Sequence, residues 1–169
     1  MQKITPHLWY DSQAEEAINY YVETFNNAPN KQGESKVVGI MRYPKSDNEH
    51  MVGMEGKVLT GVFDLAGQRF MALDGGPIFK FNESVSMLIN CDTQEEIDYY
   101  WSKLSAVPAS EQCGWCKDKW GLSWQVHPTL MDKLMTDSNP AKVKAVIDAF
   151  MPMKKMDIAA LQAAYDSVQ

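Results

Sequence analysis

Two stretches of this chain, about eighty residues apart, share one grammar. ITPHLWYD followed by SQAEEAINYYVETF comes near the start, and VSMLINCD followed by TQEEIDYYWSKL comes near the middle. Each is an apolar, strand-like run ending in Asp, then a Ser or Thr with Glu three residues later, then a helical pattern carrying a Tyr-Tyr pair. A chain whose halves repeat is a candidate for a pseudo-symmetric domain, in which two curved sheets close around a shared cavity.

The helix boundaries follow from chemistry. Ser12 with Glu15 and Thr93 with Glu96 have capping-box spacing, in which hydroxyl and carboxylate satisfy orphan backbone donors at a helix start. Ala14, Ala17, Ile18, Tyr21, Val22 and Phe25 fall on one face of the first helix, and Ile97, Tyr100, Trp101 and Leu104 on one face of the second. Strand patterns follow at 36–43, 58–65 and 68–73 in the first half and at 112–116 and 122–127 in the second, with turn residues at Gly67 and 119–121. Each half reads β-α-β-β-β. Beyond Pro128 the pattern turns helical: Asn139-Pro140 caps one helix, Pro152 ends it and Asp157 starts another. The expectation is an α+β fold of two βαβββ modules, 1–77 and 78–130, forming a curved sheet around a cavity, plus a C-terminal helical extension over 131–169.

Composition narrows the partners. A formal charge of -6, with no basic cluster beyond Lys154-Lys155, argues against nucleic acid, whose phosphates must be neutralised by Lys and Arg. There is no apolar run of about 18 residues, so a membrane span is not expected. The N-terminus MQKITPHLWYD lacks the apolar core of a secretory signal, which makes a cytoplasmic protein the default. Three cysteines, Cys91, Cys113 and Cys116, point to reduced thiols. The CGWC spacing matches a redox dithiol, but that chemistry uses a helix N-terminus to lower a thiol pKa, and this stretch runs into a turn and a strand.

The segments GGPIFKFNESVSMLINCDTQEEIDYYWSKL, CGWCKDKWGLSWQVHP and MKKMDIAAL resemble the vicinal oxygen chelate superfamily, which includes glyoxalase I, the bleomycin-resistance proteins and the extradiol dioxygenases. They are most similar to its PhnB-like branch, labelled 3-demethylubiquinone-9 3-methyltransferase-like. The resemblance implies the glyoxalase-like arrangement of the two modules. In metal-dependent members, four ligands come from the first and last strands of each module, and the matching positions here are Thr5, Ala72, Ser86 and Gln125. No imidazole or carboxylate stands among them, so no metal is expected. The methyltransferase label implies a nucleotide-cradling glycine loop. Gly75-Gly76, followed by Pro77, reads instead as a turn, and no cofactor is expected.

Strand alternation directs Thr5, His7 and Trp9 to the cavity, with Pro6, Leu8 and Tyr10 under the helices. It likewise directs Ser86, Leu88 and Asn90 inward, and Ser123, Gln125 and His127 to one common face. Asp74, two residues beyond Ala72, is expected on the His7 side, where the two could form an acid/base pair as weak catalytic candidates. Trp9, Phe79, Phe81 and Trp115 could stack on an aromatic ligand or fill the cavity mouth. The candidate ligand-binding set is His7, Trp9, Phe79, Phe81, Ser86, Asn90, Trp115 and Gln125. The expected function is metal-independent binding of a planar, weakly polar small molecule by a homodimer. An enzyme of the same fold, using His7 and Asp74 or an unrecognised metal site, is the alternative.

Overall fold

The structure is a computed structural model describing residues 2–168. The chain is mixed α+β and divides into two compact units, Met1–Phe81 and Asn82–Gln169.

The first unit contains β1 (His7–Tyr10), α1 (Ala14–Asn26), β2 (Lys36–Arg42), β3 (Val58–Leu65) and β4 (Gln68–Asp74). Its sheet has the order β1-β4-β3-β2, with β1 parallel to β4 and the other pairs antiparallel. One face is covered by α1. Ala14, Ala17, Ile18, Tyr21 and Phe25 are buried on the helix, and Leu8, Tyr10, Phe63, Leu65 and Ala72 on the sheet. Each large apolar side chain in this layer contributes about 1.5–3 kcal/mol by leaving water. The stretch 78–81 belongs to this unit because two of its rings pack on β1: Phe79 meets Trp9 edge-on at 5.0 Å, and Phe81 meets Tyr10 at 5.3 Å.

The start of α1 differs from the capping-box expectation. The helix begins at Ala14, and neither Ser12 nor Gln13 caps it with a side chain. The orphan amide of Ala14 donates instead to Asp74 Oδ1 at 2.9 Å, while Asp74 Oδ2 accepts from Val58 N at 2.9 Å. Glu15 turns outward to an ion pair with Arg42 at 2.8 Å. A carboxylate on a neighbouring strand thus does what the local hydroxyl was expected to do.

The second unit contains β5 (Ser86–Cys91), α2 (Gln94–Leu104), β6 (Trp115–Lys117), β7 (Ser123–Pro128), α3 (Leu130–Met135), α4 (Pro140–Phe150) and α5 (Ile158–Asp166). Its sheet has the order β5-β7-β6, with β5 parallel to β7 and β6 antiparallel to it. The expected Thr93–Glu96 capping box is present at the start of α2. This module has one strand fewer after its helix than the expected β-α-β-β-β. A single 3-10 turn at Pro108–Ser110 occupies the connection, and Pro108, with no N–H, suits that turn better than a strand ladder.

The Asp118 carboxylate explains the DKWGLSW stretch. Its Oδ1 accepts from the amides of Trp120 and Leu122 at 2.9 and 3.0 Å, and its Oδ2 accepts from the buried Trp124 indole at 2.8 Å. Helices α4 and α5 begin where their caps place them, Asn139 accepting from Ala141 N and Asp157 from Ala160 N. Leu134, Val146, Met156 and Leu161 are all buried. The helices therefore meet much of their apolar surface within this unit.

Candidate functional site

In the second unit α2 covers one sheet face, burying Ile89, Cys91, Cys116, Trp124 and Val126. The alternate residues share the other face in three rows: Ser86 beside Ser123 and Lys117, Leu88 beside Gln125 and Trp115, and Asn90 beside His127. Ser86, Asn90 and Gln125 therefore lie on one face, as alternation predicts, and Trp115 on β6 joins them there. Gln125 Nε2 donates to Ser86 Oγ at 2.7 Å.

One end of the face is closed. Ser123 is buried where the 82–83 segment folds over it; its hydroxyl lies 3.5 Å from the Asn82 carbonyl, and Glu83 forms an ion pair with Lys117. Hydrogen bonding from Lys117 holds the Glu83 carboxyl below its usual range. At the other end, His127 Nε2 sits 3.1 Å from the Cys113 carbonyl, and burial pushes the imidazole pKa down, the carbonyl partly opposing it. His127 is thus kept neutral near pH 7.

A cavity of about 480 Å³ opens beside β6, lined by Trp115, Lys117, Glu83, Ser110, Gln112 and Cys113 among others. That volume suits a small molecule. Of the candidate ligand-binding residues, Trp115 lines it. Sequence reasoning missed the Glu83–Lys117 pair and the 3-10 turn, because nothing local in the sequence joins residues 83, 110 and 117.

In the first unit, His7 and Trp9 share the face opposite α1 with Met71 and Leu73. Ala72 and Asp74 lie on the other face, beneath the helix. The expected register on β4 was thus one residue off. Met71, paired with His7, matches in the repeat the place that Gln125 holds beside Leu88. The proposed His7–Asp74 acid/base pair is not formed: the two residues are on opposite faces, and Asp74 has both oxygens committed to backbone amides.

Trp9 has a structural partner. Its indole donates to Gly76 O at 2.9 Å and lies against Gly75, where an added Cβ would come within 2.2 Å of the ring. The glycine pair is a turn filled by tryptophan, and it offers no open cradle to an adenosyl cofactor. Phe79 remains exposed beside Trp9. Phe81 rests on Tyr10, a residue of the helix side.

The residues at the metal-ligand positions of the superfamily are Thr5 and Met71 in the first unit and Ser86 and Gln125 in the second. A hydroxyl pair, a thioether and an amide do not suit a catalytic divalent ion. Among the described residues, no group of three His, Cys, Asp or Glu converges on a common point. The cysteines are free, and burial raises the thiol pKa of Cys91 and of Cys116 to about 12.

The family model described as 3-demethylubiquinone-9 3-methyltransferase matches residues 2–127. The chain belongs to this family. The PhnB protein of Bacillus cereus is 36% identical, with a TM-score of 0.59 over 76% of this chain and 100% of that one. A Pseudomonas aeruginosa protein, 18% identical, shares the fold with a TM-score of 0.53 over 76% of this chain and 98% of its own. None of the curated proteins matches. The family places the chain in the PhnB-like branch of the vicinal oxygen chelate superfamily, as the sequence motifs indicate. No helix among the described residues is long and apolar enough to cross a membrane.

Proposed function

We propose that this family member is a metal-independent small-molecule-binding protein whose ligand is planar and weakly polar. The observation that carries the reading is the Gln125–Ser86 hydrogen bond of 2.7 Å. Two positions that hold an ion in metal-dependent relatives here carry a neutral amide and a hydroxyl that satisfy each other. Trp115, in the same row as Gln125, supplies a stacking surface beside the cavity of about 480 Å³. Among the described residues, the one lysine lining that cavity, Lys117, is paired with Glu83, which disfavours an anionic ligand. The methyltransferase in the family description is not part of this reading, because the Gly75-Gly76 turn is packed by Trp9.

The experiment is a ligand screen of planar neutral compounds by tryptophan fluorescence and thermal shift, with elemental analysis of the purified protein. A hit weakened by Gln125→Leu or Trp115→Ala supports the reading. Stoichiometric transition metal removed only by chelation, or a hit unaffected by both substitutions, overturns it.

The reading includes a homodimer in the cytoplasm. Support for the dimer comes from β2, an edge strand whose Val38 and Met41 are 47% and 63% exposed. Light scattering that finds only monomer at micromolar concentration would count against it.

A further inference from the structure

The cavity wall that carries Cys113 is built on a strained turn. Residues 112–115 form a tight reversal, with Trp115 N donating to Gln112 O at 2.7 Å and Gln112 N to Trp115 O at 3.1 Å. Its central residues have φ of +50° at Cys113 and +82° at Gly114. Two consecutive left-handed residues define the turn type that favours Asn-Gly, and cysteine at its first centre is a poor fit. Such a conformation persists only where the surroundings over-determine it.

The surroundings here come from two directions. The carbonyls of the turn face β7: Val126 N donates to Gly114 O at 2.9 Å, and His127 Nε2 lies 3.1 Å from Cys113 O. The amides face the segment joining α4 to α5, Cys113 N donating to Met153 O and Gly114 N to Lys154 O, both at 2.7 Å. The Cys113 thiol donates to Met151 O at 3.2 Å. That segment is pinned in turn. Lys154 pairs with Glu111 at 3.1 Å, and Gln94 holds the far end with both halves of its amide, Nε2 donating to Met156 O at 3.1 Å and Oε1 accepting from Ile158 N at 2.9 Å. The segment 151–156 itself lies beyond residue 127, where the family match ends, while Gln94 and Glu111 lie within it.

We propose that 151–156 is a latch, a device of the C-terminal extension that holds the 113–114 turn in its strained form and thereby fixes the cavity wall and the position of His127. Latched, the turn presents Cys113 and Trp115 in one orientation; released, Cys113 relaxes out of the left-handed region and the wall opens. Gln94 and Lys154 are positioning residues acting through the turn.

The test uses the full chain without any ligand, so its outcome is independent of the binding reading. Gln94→Leu removes the two hydrogen bonds by which the Gln94 amide holds the far end of the segment, and Glu111→Gln, a second variant, removes the charge that Lys154 meets. In either folded variant the amides of Cys113 and Gly114 should exchange with solvent, and the Cys113 thiol react with a disulfide reagent, roughly tenfold faster than in the parent, the loss of one or two hydrogen bonds being converted into opening. The His127 imidazole should titrate closer to its ordinary value as the wall opens to water. Cys113→Gly, which is at ease in the left-handed region, should restore slow Gly114 exchange and the low His127 titration in the Gln94→Leu background. Unchanged exchange and labelling in both folded single variants would overturn the latch. Failure of the glycine to rescue would overturn the role of strain.

Discussion

Gln125 donates through Nε2 to Ser86 Oγ at 2.7 Å, a diagonal link between the parallel strands β7 and β5. Both residues are half-buried, so the bond competes weakly with water and defines the chemistry of the face more than its stability. Gln125→Leu and Ser86→Ala should each cost about 0.5–1.5 kcal/mol in urea unfolding, with a coupling of about 1 kcal/mol in the double-mutant cycle. If the amide also meets a ligand, Gln125→Leu should weaken binding by about 1–3 kcal/mol. Additive effects of the two substitutions would show that the side chains act separately.

Asp74 and Glu15 offer a contrast at the start of α1. Asp74 is 2% exposed and accepts two backbone amides, whereas Glu15 forms a surface pair with Arg42. Asp74→Ala should cost about 2–4 kcal/mol, leaving two buried donors without an acceptor and the helix without its cap. Glu15→Ala should cost under about 1 kcal/mol. Chemical denaturation of the two variants checks this. Equal losses would return the cap to the Ser12–Glu15 box.

The repeat grammar made most of the fold legible, because helix period, strand alternation and caps are local. The Thr93–Glu96 box, the Asn139 and Asp157 caps and the helix-side burial of Leu8 and Tyr10 all follow from spacing of four residues or fewer. What was missed is long-range. Asp74 caps a helix sixty residues away in sequence, and its burial moved Ala72 with it, so the candidate acid/base pair dissolved through one step of register. Alternation did group Ser86, Asn90, Gln125 and His127, since both strands of that pair are regular. It could not reveal that the Cys113 turn is tied to a segment some forty residues later, through backbone groups that carry no sequence signature.

The three thiols should divide sharply by reactivity. Burial raises Cys91 and Cys116 to about 12, so at pH 8 almost none of either is thiolate, whereas Cys113 is only partly covered. A disulfide reagent at pH 8 should titrate one thiol in the native protein and all three in denaturant, with Cys113 found by mass spectrometry as the labelled site. A native CGWC disulfide, or a fast reaction at Cys116, would contradict this division.

His127 should make the protein sensitive to mild acid. Burial lowers its pKa from 6.5 in the folded chain, the Cys113 carbonyl opposing the shift, so the unfolded chain binds the proton more readily. Stability is complete above about pH 6.5, where the imidazole is neutral in both states, and falls as pH drops from there through the lower folded value. The depressed carboxyls of Glu83 and Glu111 act in the same direction but only below their ordinary value of 4.5, each lowered first by a side-chain hydrogen bond, from Lys117 and from Ser105. The window between about pH 6.5 and 5 therefore isolates the histidine from those groups. Urea unfolding of the parent should show a lower midpoint at pH 5 than at pH 7, and His127→Gln, which has no titrating ring, should flatten that difference while leaving the decline below pH 4.5. A slope unchanged by the substitution would place the acid sensitivity elsewhere and show that His127 is as well solvated in the folded chain as in the unfolded one.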